Sequence, residues 1–513
     1  MTEKNKVLPK LKNAILGQVI TRFPPEASGY LHLGHVKALL LNYLYAKEYE
    51  GKIILRFDDT NPEKENAVYE QAILADIKTL NLDCDMVTYA SDYFDQIIDY
   101  ATTLINNNLA YVDFSSAEEI NQQRDKFLPS QYRDTNVEIN LEHFSVMRNG
   151  KNLNSCLRAK IDYASKNGCL RDPVIFRSKD MVHPRYDAKY FIYPTYDFAC
   201  PILDAVQGVT HAMRSVEYKD RDSQYEWFLR ALNLKNGSYP IISDYGKLSF
   251  SHTVLSKRKL AKLVENGQVD GWSDPRMPTV RGVIRAGIQI EPLVEYIKTQ
   301  MMSRAIVLLT WDKLYSFNTA YLEKNSNRLY GLSDSTIKII LTGSQVNPAR
   351  EDLPKSVQLS NHPKNSAAGV REMVVCSSLL ADANDFTNAR IGDRYTLVGL
   401  GNAVVTNVDP MTLNYDKLDR DFKSTTKITW LPDDDTNVQV VVKRFGHLLT
   451  KPKLESGDNI LNAFNTDSCS QSTWLVEKSV SNYLPGSVFQ IMRKDYCYVD
   501  QVGDQIVLHI VPS

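Results

Sequence analysis

The sequence predicts an α/β first half with a parallel sheet and an all-β second half. Near the N-terminus, a strand-like segment, a turn rich in proline and glycine, an amphipathic helix and a second strand-like segment follow one another, which is the order of a βαβ unit. From about residue 335 onward, β-rich runs alternate with Pro, Asn, Asp and Gly, and few long helical periods occur. A chain of 513 residues is long enough for two or three domains.

The elements of the βαβ unit can be assigned in order. Residues 18–21 predict the first strand and residues 24–29 the turn that follows it. The next helix ends at Gly51 as a C-terminal cap, and residues 52–57 predict the second strand. One face of this helix is apolar and is formed by Val36, Leu39, Leu40, Tyr43 and Leu44. The segment from Arg281 to Lys324 predicts helices that join the two halves.

The composition excludes several classes of protein. Hydrophobic content of 43% and charged content of 24% are those of a globular chain, not of a disordered, collagen-like or coiled-coil protein. No apolar run approaches the roughly 20 residues of a membrane helix, and the N-terminus lacks the apolar core of a signal peptide. A net charge of −1 argues against a protein coated in nucleic acid and is compatible with a local basic face. The seven cysteines include no Cys-x-x-Cys pair, so we expect no metal site, no disulfide framework and a cytoplasmic location.

The densest chemistry lies in the first strand–helix turn, which reads RFPPEASGYLHLGH over residues 22–35. His32 and His35 lie one helical turn apart on the same side. The start of a helix offers free N–H groups and a partial positive charge, which suit a phosphate, and Gly34 lets a flat ring approach the backbone. The pattern predicts a nucleotide-phosphate site in which both imidazoles donate to charge developing at the α-phosphate. The alternative is a surface pair of histidines, and the Pro-Pro-Glu turn before them weighs against it.

A second cluster reads VLSKRKL over residues 254–260. Taken alone it is a basic run, and most such runs are solvated surface. In a nucleotide enzyme, Ser256 and Lys257 on a mobile loop would clamp the β and γ phosphates and stabilise the departing pyrophosphate.

In this order along the chain, the two clusters resemble the HIGH and KMSKS motifs of class I aminoacyl-tRNA synthetases. The segments between them narrow the resemblance to the glutamyl/glutaminyl branch. These segments are RFDDTNP (56–62), YASDYF (89–94), LRAKID (157–162), RDPV (171–174) and IYPTYDF (192–198). Residues 361–365 and 427–431 are similar to the β-barrel anticodon-binding domain of the eukaryotic/archaeal type.

The resemblance implies a domain order. It implies a Rossmann-like class I catalytic domain with a helical connecting region, followed by all-β anticodon-binding barrels. The expected limits are an N-terminal extension over 1–17, the catalytic domain over 18–280 with an acceptor-stem-binding insertion at about 110–190, the helical region over 281–334 and the β-barrel domain over 335–513.

The choice between glutamate and glutamine rests on the pocket, because a carboxylate calls for cations. Arg214 stands where glutaminyl enzymes usually carry a small neutral residue. By resemblance to glutamyl enzymes, Arg22, Tyr196 and Arg214 would hold the side-chain carboxylate of glutamate, and Asp58 would pair with its α-ammonium group. The alternative for Arg214 is a helix-surface arginine paired with Glu217.

The resemblance also implies the remaining site residues. His32, His35 and Lys257 would be catalytic. The ATP-binding positions would be Pro24, Pro25, Glu26, His32, Gly34, His35, Leu248, Leu255, Ser256 and Lys257, with Mg2+ accompanying ATP. Ala27 replaces the proline usual after Pro-Pro-Glu, and two further departures from the family pattern occur. Val254-Leu255 replaces Lys-Met, so the first lysine's role is absent or falls to Lys247, and His183 to Asp187 replaces His-His-x-Thr-Gly, which leaves any tRNA contact of that loop open.

The function expected from the resemblance is that of a cytoplasmic glutamate–tRNA ligase acting on L-glutamate, ATP and tRNA(Glu). We expect a monomer that does not contact membranes. An N-terminal interaction domain, common in eukaryotic relatives and able to join a multi-synthetase assembly, is missing here, so either the protein lacks it or it was trimmed. Two alternatives remain open, a glutaminyl-tRNA synthetase and a non-catalytic relative that binds tRNA.

Overall fold

A computed structural model describes residues 8–63, 67–151, 154–235, 239–301, 307–343 and 353–513. The chain forms two compact units. The first unit comprises Met1–Phe250, Leu255–Arg258 and Ile297–Leu309, and the second comprises Ser251–Val254, Lys259–Tyr296 and Thr310–Ser513. The expected domain limits stay a prediction. Within the described ranges, no helix is both long enough and apolar enough to cross a membrane.

The first unit alternates strands and helices. Its strands are β1 (Ile20–Phe23), β2 (Lys52–Phe57), β3 (Met86–Tyr89), β4 (Ala110–Asp113), β5 (Cys156–Ala159), β6 (Val174–Ser178), β7 (Ile192–Pro194), β8 (His211–Ser215), β9 (Ile241–Tyr245), β10 (Ser249–Phe250) and β11 (Leu308–Leu309). Its helices are α1 (Leu33–Glu48), α2 (Ala67–Thr79), α3 (Phe94–Asn106), α4 (Ala117–Asp125), α5 (Val137–Arg148), α6 (Tyr196–Val206) and α7 (Asp222–Ala231). Helix α8 (Lys257–Glu265) begins in this unit.

The predicted βαβ unit is confirmed. Strands β1, β2 and β3 form a parallel sheet in that order, and β8 pairs in parallel with β9. Strands β4 to β7 form a separate antiparallel sheet in that order. The carboxyl ends of β1, β2 and β8 carry Arg22, Asp58 and Arg214. In parallel sheets, ligands bind at this edge.

Two predicted limits of this unit are wrong by a few residues. The first strand is Ile20–Phe23 rather than 18–21, because its register is fixed by pairing Ile20 with Lys52 and Phe23 with Leu55. The helix ends at Glu48, before Gly51. Gly51 is required for another reason, since a Cβ there would lie 2.0 Å from the carbonyl oxygen of Val19.

The buried face of α1 is wider than the predicted stripe. Leu41 and Tyr45 are buried, whereas Tyr43 and Leu44 are only half-buried. The helix contacts β1, β2 and β8. Broad burial of this kind fixes the helix start, where the histidines lie, against the sheet.

The second unit is predominantly β, as predicted. Its strands are β12 (Arg328–Leu329), β13 (Gly331–Leu332), β14 (Thr336–Thr342), β15 (Ser356–Ser360), β16 (Val370–Val374), β17 (Ser378–Asp382), β18 (Arg394–Leu397), β19 (Gly401–Val408), β20 (Met411–Asp416), β21 (Thr426–Ile428), β22 (Trp430–Pro432), β23 (Val438–Phe445), β24 (Cys469–Val476), β25 (Val488–Ile491), β26 (Tyr496–Gln501) and β27 (Ile506–Ile510). Its helices are α9 (Val280–Arg285), α10 (Ile290–Thr299), α11 (Asp312–Asn325) and α12 (Ile460–Ala463); the last residues of α10 fall in the first unit.

Two seven-stranded sheets dominate the second unit and form near-closed barrels. One has the order β12-β25-β26-β27-β23-β24-β13 and the other the order β21-β18-β19-β20-β14-β17-β22. Each sheet encloses its own apolar core. Near-closure leaves few exposed strand edges.

Candidate active site

A cavity of about 540 Å³ opens in the first unit at the carboxyl ends of β1 and β8. Most of the predicted site residues line it together, although they come from distant parts of the chain. They are Arg22, Pro24, Pro25, Glu26, His32, His35, Asp58, Tyr196, Arg214, Leu255 and Lys257. Gly34, Leu248 and Ser256 are not part of the described lining. Gly34 instead lies beside a predicted site residue. A Cβ at position 34 would be only 3.0 Å from the ring of His32, so the glycine leaves room for that ring.

The two histidines stack at the start of α1. Their ring centroids are 3.7 Å apart with the planes inclined by 21°. The backbone N–H of His32 donates to Nδ1 of His35 at 3.1 Å, so the proton of a neutral His35 ring lies on Nε2. Burial and the nearby Lys257 lower the pKa of His32 to about 3, and burial also lowers the pKa of His35 well below its usual range. Both rings are therefore neutral near pH 7 and act as N–H donors rather than as cations.

Lys257 is held against the turn that precedes these histidines. Its Nζ donates to the carbonyl oxygen of Glu26 at 2.9 Å and to Ser28 Oγ at 3.3 Å. Ser28 Oγ–H in turn donates to Glu26 Oε2 at 2.8 Å. A Cβ at Gly29 would lie 3.2 Å from Cδ of Lys257, so the glycine leaves room for the lysine stem. The ammonium group is thus brought to the same cavity as the two imidazoles.

Asp58 follows β2 and faces the cavity. Its Oδ1 accepts from Thr60 Oγ1 at 2.9 Å, and its backbone N–H donates to the carbonyl oxygen of Pro25 at 3.0 Å. Burial raises the pKa of Asp58 to about 6, against the opposing effect of the Thr60 hydroxyl. A carboxylate with a raised pKa in a cavity favours a cationic ligand, because a bound cation offsets the cost of its burial.

Arg22 belongs to a buried ion cluster. Its Nε donates to Asp204 at 3.1 Å and its Nη1 to the carbonyl oxygen of Met213 at 2.9 Å. Arg56 Nη2 donates to the same carboxylate at 2.6 Å. Burial would raise the pKa of Asp204, but the two guanidinium groups outweigh it and bring the value to about 2. Two arginines thus share one carboxylate, and the cluster keeps one surplus positive charge beside the cavity.

Arg214 lies in β8 and is buried. Its Nη1 donates to Asp222 Oδ1 at 3.2 Å, whereas its Nε has no hydrogen-bond partner among the described residues. The alternative of a helix-surface arginine paired with Glu217 is wrong, because Glu217 binds Nζ of Lys247 at 2.9 Å. Lys247 itself is outside the described lining of the cavity.

Tyr196 lies at the first turn of α6 and lines the same cavity as Arg22 and Arg214. Burial raises the pKa of its phenol well above the usual range, so the hydroxyl stays protonated. Cys200 Sγ lies 3.6 Å from the Tyr196 oxygen and 3.7 Å from Asp204 Oδ2. The Tyr196 hydroxyl and the Arg214 guanidinium can both donate hydrogen bonds, and donors suit a carboxylate.

A second cavity of about 260 Å³ adjoins the first and shares Glu26, Asp58, Tyr196 and Arg221 with it. Arg221 Nη1 donates to both carboxylate oxygens of Asp197, at 2.8 and 2.6 Å. Neither this ion pair nor the pairing of Asp222 with Arg214 was predicted from the sequence. Arg56 was also missed, although a charged residue inside the apolar strand Ile53–Phe57 signals a buried ion pair.

Comparison with known proteins identifies the family of the chain. Residues 18–324 match the family model of the catalytic domain of class I tRNA synthetases (E and Q). Residues 327–418 and 427–500 match the models of the anticodon-binding domain of the same class.

Curated relatives resemble the chain over nearly its whole length. The chain is 40% identical over 504 residues to a bifunctional glutamate/proline–tRNA ligase of Mus musculus, covering 96% of this chain and 33% of that protein. It is 39% identical over 516 residues to a probable cytoplasmic glutamate–tRNA ligase of Schizosaccharomyces pombe, covering 98% of this chain and 71% of that protein. The corresponding Saccharomyces cerevisiae cytoplasmic enzyme is 38% identical over 512 residues, covering 98% and 71%.

The chain therefore spans about one third of the length of the mouse relative, 33%, and most of the length of the two yeast relatives. The predicted fold class is confirmed by the parallel sheet of the first unit, the barrels of the second and the matching domain models. On these grounds the chain belongs to the E and Q family of class I tRNA synthetases.

Proposed function

We propose that the chain is a glutamate–tRNA ligase, which uses ATP to activate L-glutamate as glutamyl-adenylate and transfers the glutamyl group to the 3′ end of tRNA(Glu). One observation carries the proposal. A carboxylate, Asp58, and a buried arginine with a free Nε, Arg214, line the same cavity as the neutral histidine pair. The α-amino group and side-chain carboxylate of glutamate carry the charges that would complement these two residues.

Glutamate would be held at both ends. Asp58 would pair with the α-ammonium group, and Arg214 Nε with the side-chain carboxylate, assisted by the Tyr196 hydroxyl. Arg22 would act chiefly through the surplus positive charge that it and Arg56 leave around Asp204, because its own Nε and Nη1 are already bound. This surplus favours a carboxylate over the neutral amide of glutamine.

In the first step, the α-carboxylate of glutamate would attack the α-phosphate of ATP and release pyrophosphate. His32 and His35 would donate N–H groups to the charge that develops on the phosphate oxygens. Lys257 would stabilise the departing pyrophosphate, for which its Nζ must leave Glu26 and Ser28. The turn at Pro24 to Glu26, with Gly34, Leu248, Leu255 and Ser256, would cradle ATP.

In the second step, the 2′-hydroxyl of the terminal tRNA ribose would attack the activated carbonyl, forming the glutamyl ester as the acyl–phosphate bond breaks and AMP leaves. The second cavity adjoins Asp58 and Tyr196 and would bring that ribose beside the adenylate. Its cationic residues include Arg177 and Lys179, which suit a phosphate backbone. Relatives of this subgroup usually need tRNA before they activate the amino acid, and we extend that expectation to this chain.

Mg2+ would accompany ATP and neutralise phosphate charge. Glu26 is a carboxylate of the lining and would offer this ion one oxygen ligand of the kind that it prefers, beside those of the phosphates. We further propose that the protein works in the cytoplasm as a monomer, and that an N-terminal interaction domain, where present, would join it to a multi-synthetase assembly. The cytoplasmic yeast relatives support the location.

The test is charging of total tRNA with labelled glutamate, beside a parallel reaction with labelled glutamine, each with ATP and Mg2+. Attachment of glutamate alone is the expected result. Attachment of glutamine would keep the mechanism and overturn the pocket assignment. Attachment of neither, by a folded protein that still binds tRNA, would favour a non-catalytic relative.

A further inference from the structure

One segment of the first unit is tied to the turn that carries Asp58. Residues 179–187, here the 179–187 strap, follow β6 and form a narrow loop closed by His183 and Asp187, each of which donates its backbone N–H to the other's carbonyl oxygen, at 3.0 and 2.9 Å. This is the loop in which the sequence departs from the family pattern. Asp187 has a φ of +49°, in the left-handed region that favours glycine.

Two side chains of the strap bind the Asp58 turn directly. Nε2 of His183 lies 2.9 Å from the carbonyl oxygen of Asp59, the residue after Asp58. Nζ of Lys179 lies 2.9 Å from Asn61 Oδ1 and 3.0 Å from Glu63 Oε2. The turn that presents Asp58 to the cavity is therefore held at its second residue and again near its end.

The hydrogen bonds of His183 assign the tautomer of its ring. Its Nδ1 accepts from the backbone N–H of Arg185 at 3.2 Å, so the proton of the neutral ring lies on Nε2 and is donated to Asp59. The ring is fully buried and stacks 6.1 Å from Tyr193, with Phe94 edge-on at 5.6 Å. A buried ring with both nitrogens bonded has no freedom to turn, so it sets the position of the Asp59 carbonyl.

Arg185 anchors the other end of the strap. Its Nη1 donates to Ser91 Oγ at 2.7 Å and to Asp92 Oδ1 at 2.8 Å, and its guanidinium lies 3.7 Å from the centroid of the Tyr89 ring. Ser91 N–H donates to Asp59 Oδ1 at 2.8 Å. Both the carbonyl and the side chain of Asp59 are thus fixed, directly or through Ser91, by groups of the strap.

Asp58 itself has little else to hold it. Among the described residues, its carboxylate accepts one hydrogen bond, from Thr60, and forms no salt bridge. Its position therefore depends on two backbone contacts, the bond from its own N–H to the carbonyl oxygen of Pro25 and the bond that His183 makes to the carbonyl oxygen of the next residue, Asp59. We propose that His183 is a positioning residue for amino-acid binding, which acts through Asp59 to aim the Asp58 carboxylate at the substrate ammonium group, with Lys179 as a secondary tie.

This inference rests on the proposed function, and two substitutions of one residue test it. In His183→Gln, the side-chain amide N–H replaces Nε2–H and keeps the bond to Asp59. In His183→Asn, the side-chain amide oxygen takes the place of Nδ1 and keeps the hydrogen bond from the Arg185 N–H within the strap. The shorter side chain loses the bond to the Asp59 carbonyl oxygen. A positioning role predicts that Gln is tolerated and Asn is not, whereas a role confined to folding of the loop predicts the reverse.

The measurement is the KM for glutamate in ATP–pyrophosphate exchange with tRNA present, with the KM for ATP determined alongside. We expect His183→Asn to raise the glutamate KM about tenfold, the effect of one lost buried hydrogen bond, without change in the ATP KM. His183→Gln should stay within about twofold of wild type on the same basis. Lys179→Met should raise the glutamate KM about threefold, since its partners are partly exposed.

Lys189→Met is the matched control. Lys189 follows the strap and pairs with Asp95 at 2.9 Å, away from the Asp58 turn, so its loss should leave the glutamate KM unchanged. Equal glutamate KM values for His183→Asn and His183→Gln would overturn the inference, as would parallel increases in the glutamate and ATP KM. A wild-type chain without glutamate-dependent exchange would overturn the proposed function, and the inference with it.

Discussion

At the scale of single residues, the buried carboxylate of Asp58 lowers the stability of the ligand-free protein and favours a cationic ligand. Burial raises its pKa from 3.8 to about 6, so the unfolded chain gives up this proton more readily than the folded chain does. Between about pH 4 and pH 6 the folded state binds more protons, and its stability from this group falls as pH rises. The ionised carboxylate therefore destabilises the ligand-free protein at neutral pH, and we attribute its presence in the cavity to ligand binding.

Asp58→Asn should consequently stabilise the ligand-free protein at pH 7, by up to about 3 kcal/mol, and abolish glutamate activation. The stability gain should vanish below about pH 4, where aspartate is protonated in both states. Thermal unfolding of the variant and wild type at pH 7 and pH 4, with charging assays at pH 7, tests both statements. A variant less stable than wild type at pH 7 would contradict this account of Asp58.

The same residue should set the acid limb of activity. Asp58 must be ionised to pair with an ammonium group, so the kcat/KM for glutamate should fall as pH drops through about 6. The pKa of His32 is about 3 and that of His35 is also well below its usual range, so neither imidazole contributes to this limb. A pH profile of charging measures it, and a flat profile down to pH 5 would exclude Asp58 from substrate binding.

Arg214 is the residue on which the choice of substrate depends. Arg214→Met should lower the kcat/KM for glutamate. The expected loss corresponds to about 2–4 kcal/mol of transition-state stabilisation, the range for losing a buried charged hydrogen bond. Asp222 keeps a hydrogen-bond partner in this variant, because Nζ of Lys219 also donates to it, at 2.9 Å. Arg230→Met, which removes an exposed pair with Glu226, is the control. Unchanged charging with glutamate would refute the selector role.

At the scale of elements, the start of α1 concentrates the phosphate chemistry. His32 is the residue before the helix and His35 lies in its first turn, so both rings line the cavity at a helix N-terminus, where we propose that they bind phosphate. His35→Ala should cost about 2–4 kcal/mol of transition-state stabilisation, as loss of an oxyanion-type donor does. Single-turnover adenylate formation measures this cost, with the circular dichroism of the variant as a check on folding. A wild-type rate would remove His35 from the mechanism.

The elements also show which parts of the fold local sequence signals can predict. Periodicity and turn residues predicted the βαβ unit and the β-rich second half, because both signals are local. The two-residue error in β1 arose because its limits depend on pairing with β2, some thirty residues away along the chain (Ile20 with Lys52). Arg22 was predicted to bind substrate, yet its Nε is bound by Asp204, which lies 182 residues further along. Family motifs identify which residues meet in a site, but the division of charge among them requires the fold.

At the scale of the whole molecule, the two units have separate apolar cores. Trp430 in β22 is fully buried in the second unit, where its Nε1 donates to the carbonyl oxygen of Val398 at 3.0 Å. Trp227 in α7 is half-buried and packs against the core of the first unit. Removal of either indole should therefore affect the unfolding of one unit more than that of the other.

Trp430→Ala should lower the stability of the second unit by about 3–5 kcal/mol, the usual cost of deleting a buried large aromatic side chain. Differential scanning calorimetry should then show one transition at a lower temperature, while the transition of the first unit stays in place. Trp227→Ala, the matched control, should shift the other transition by a smaller amount, because its indole is only half-buried. If both variants moved a single common transition, the units would unfold as one cooperative structure, and stability lost in the barrels would also be lost at the active site.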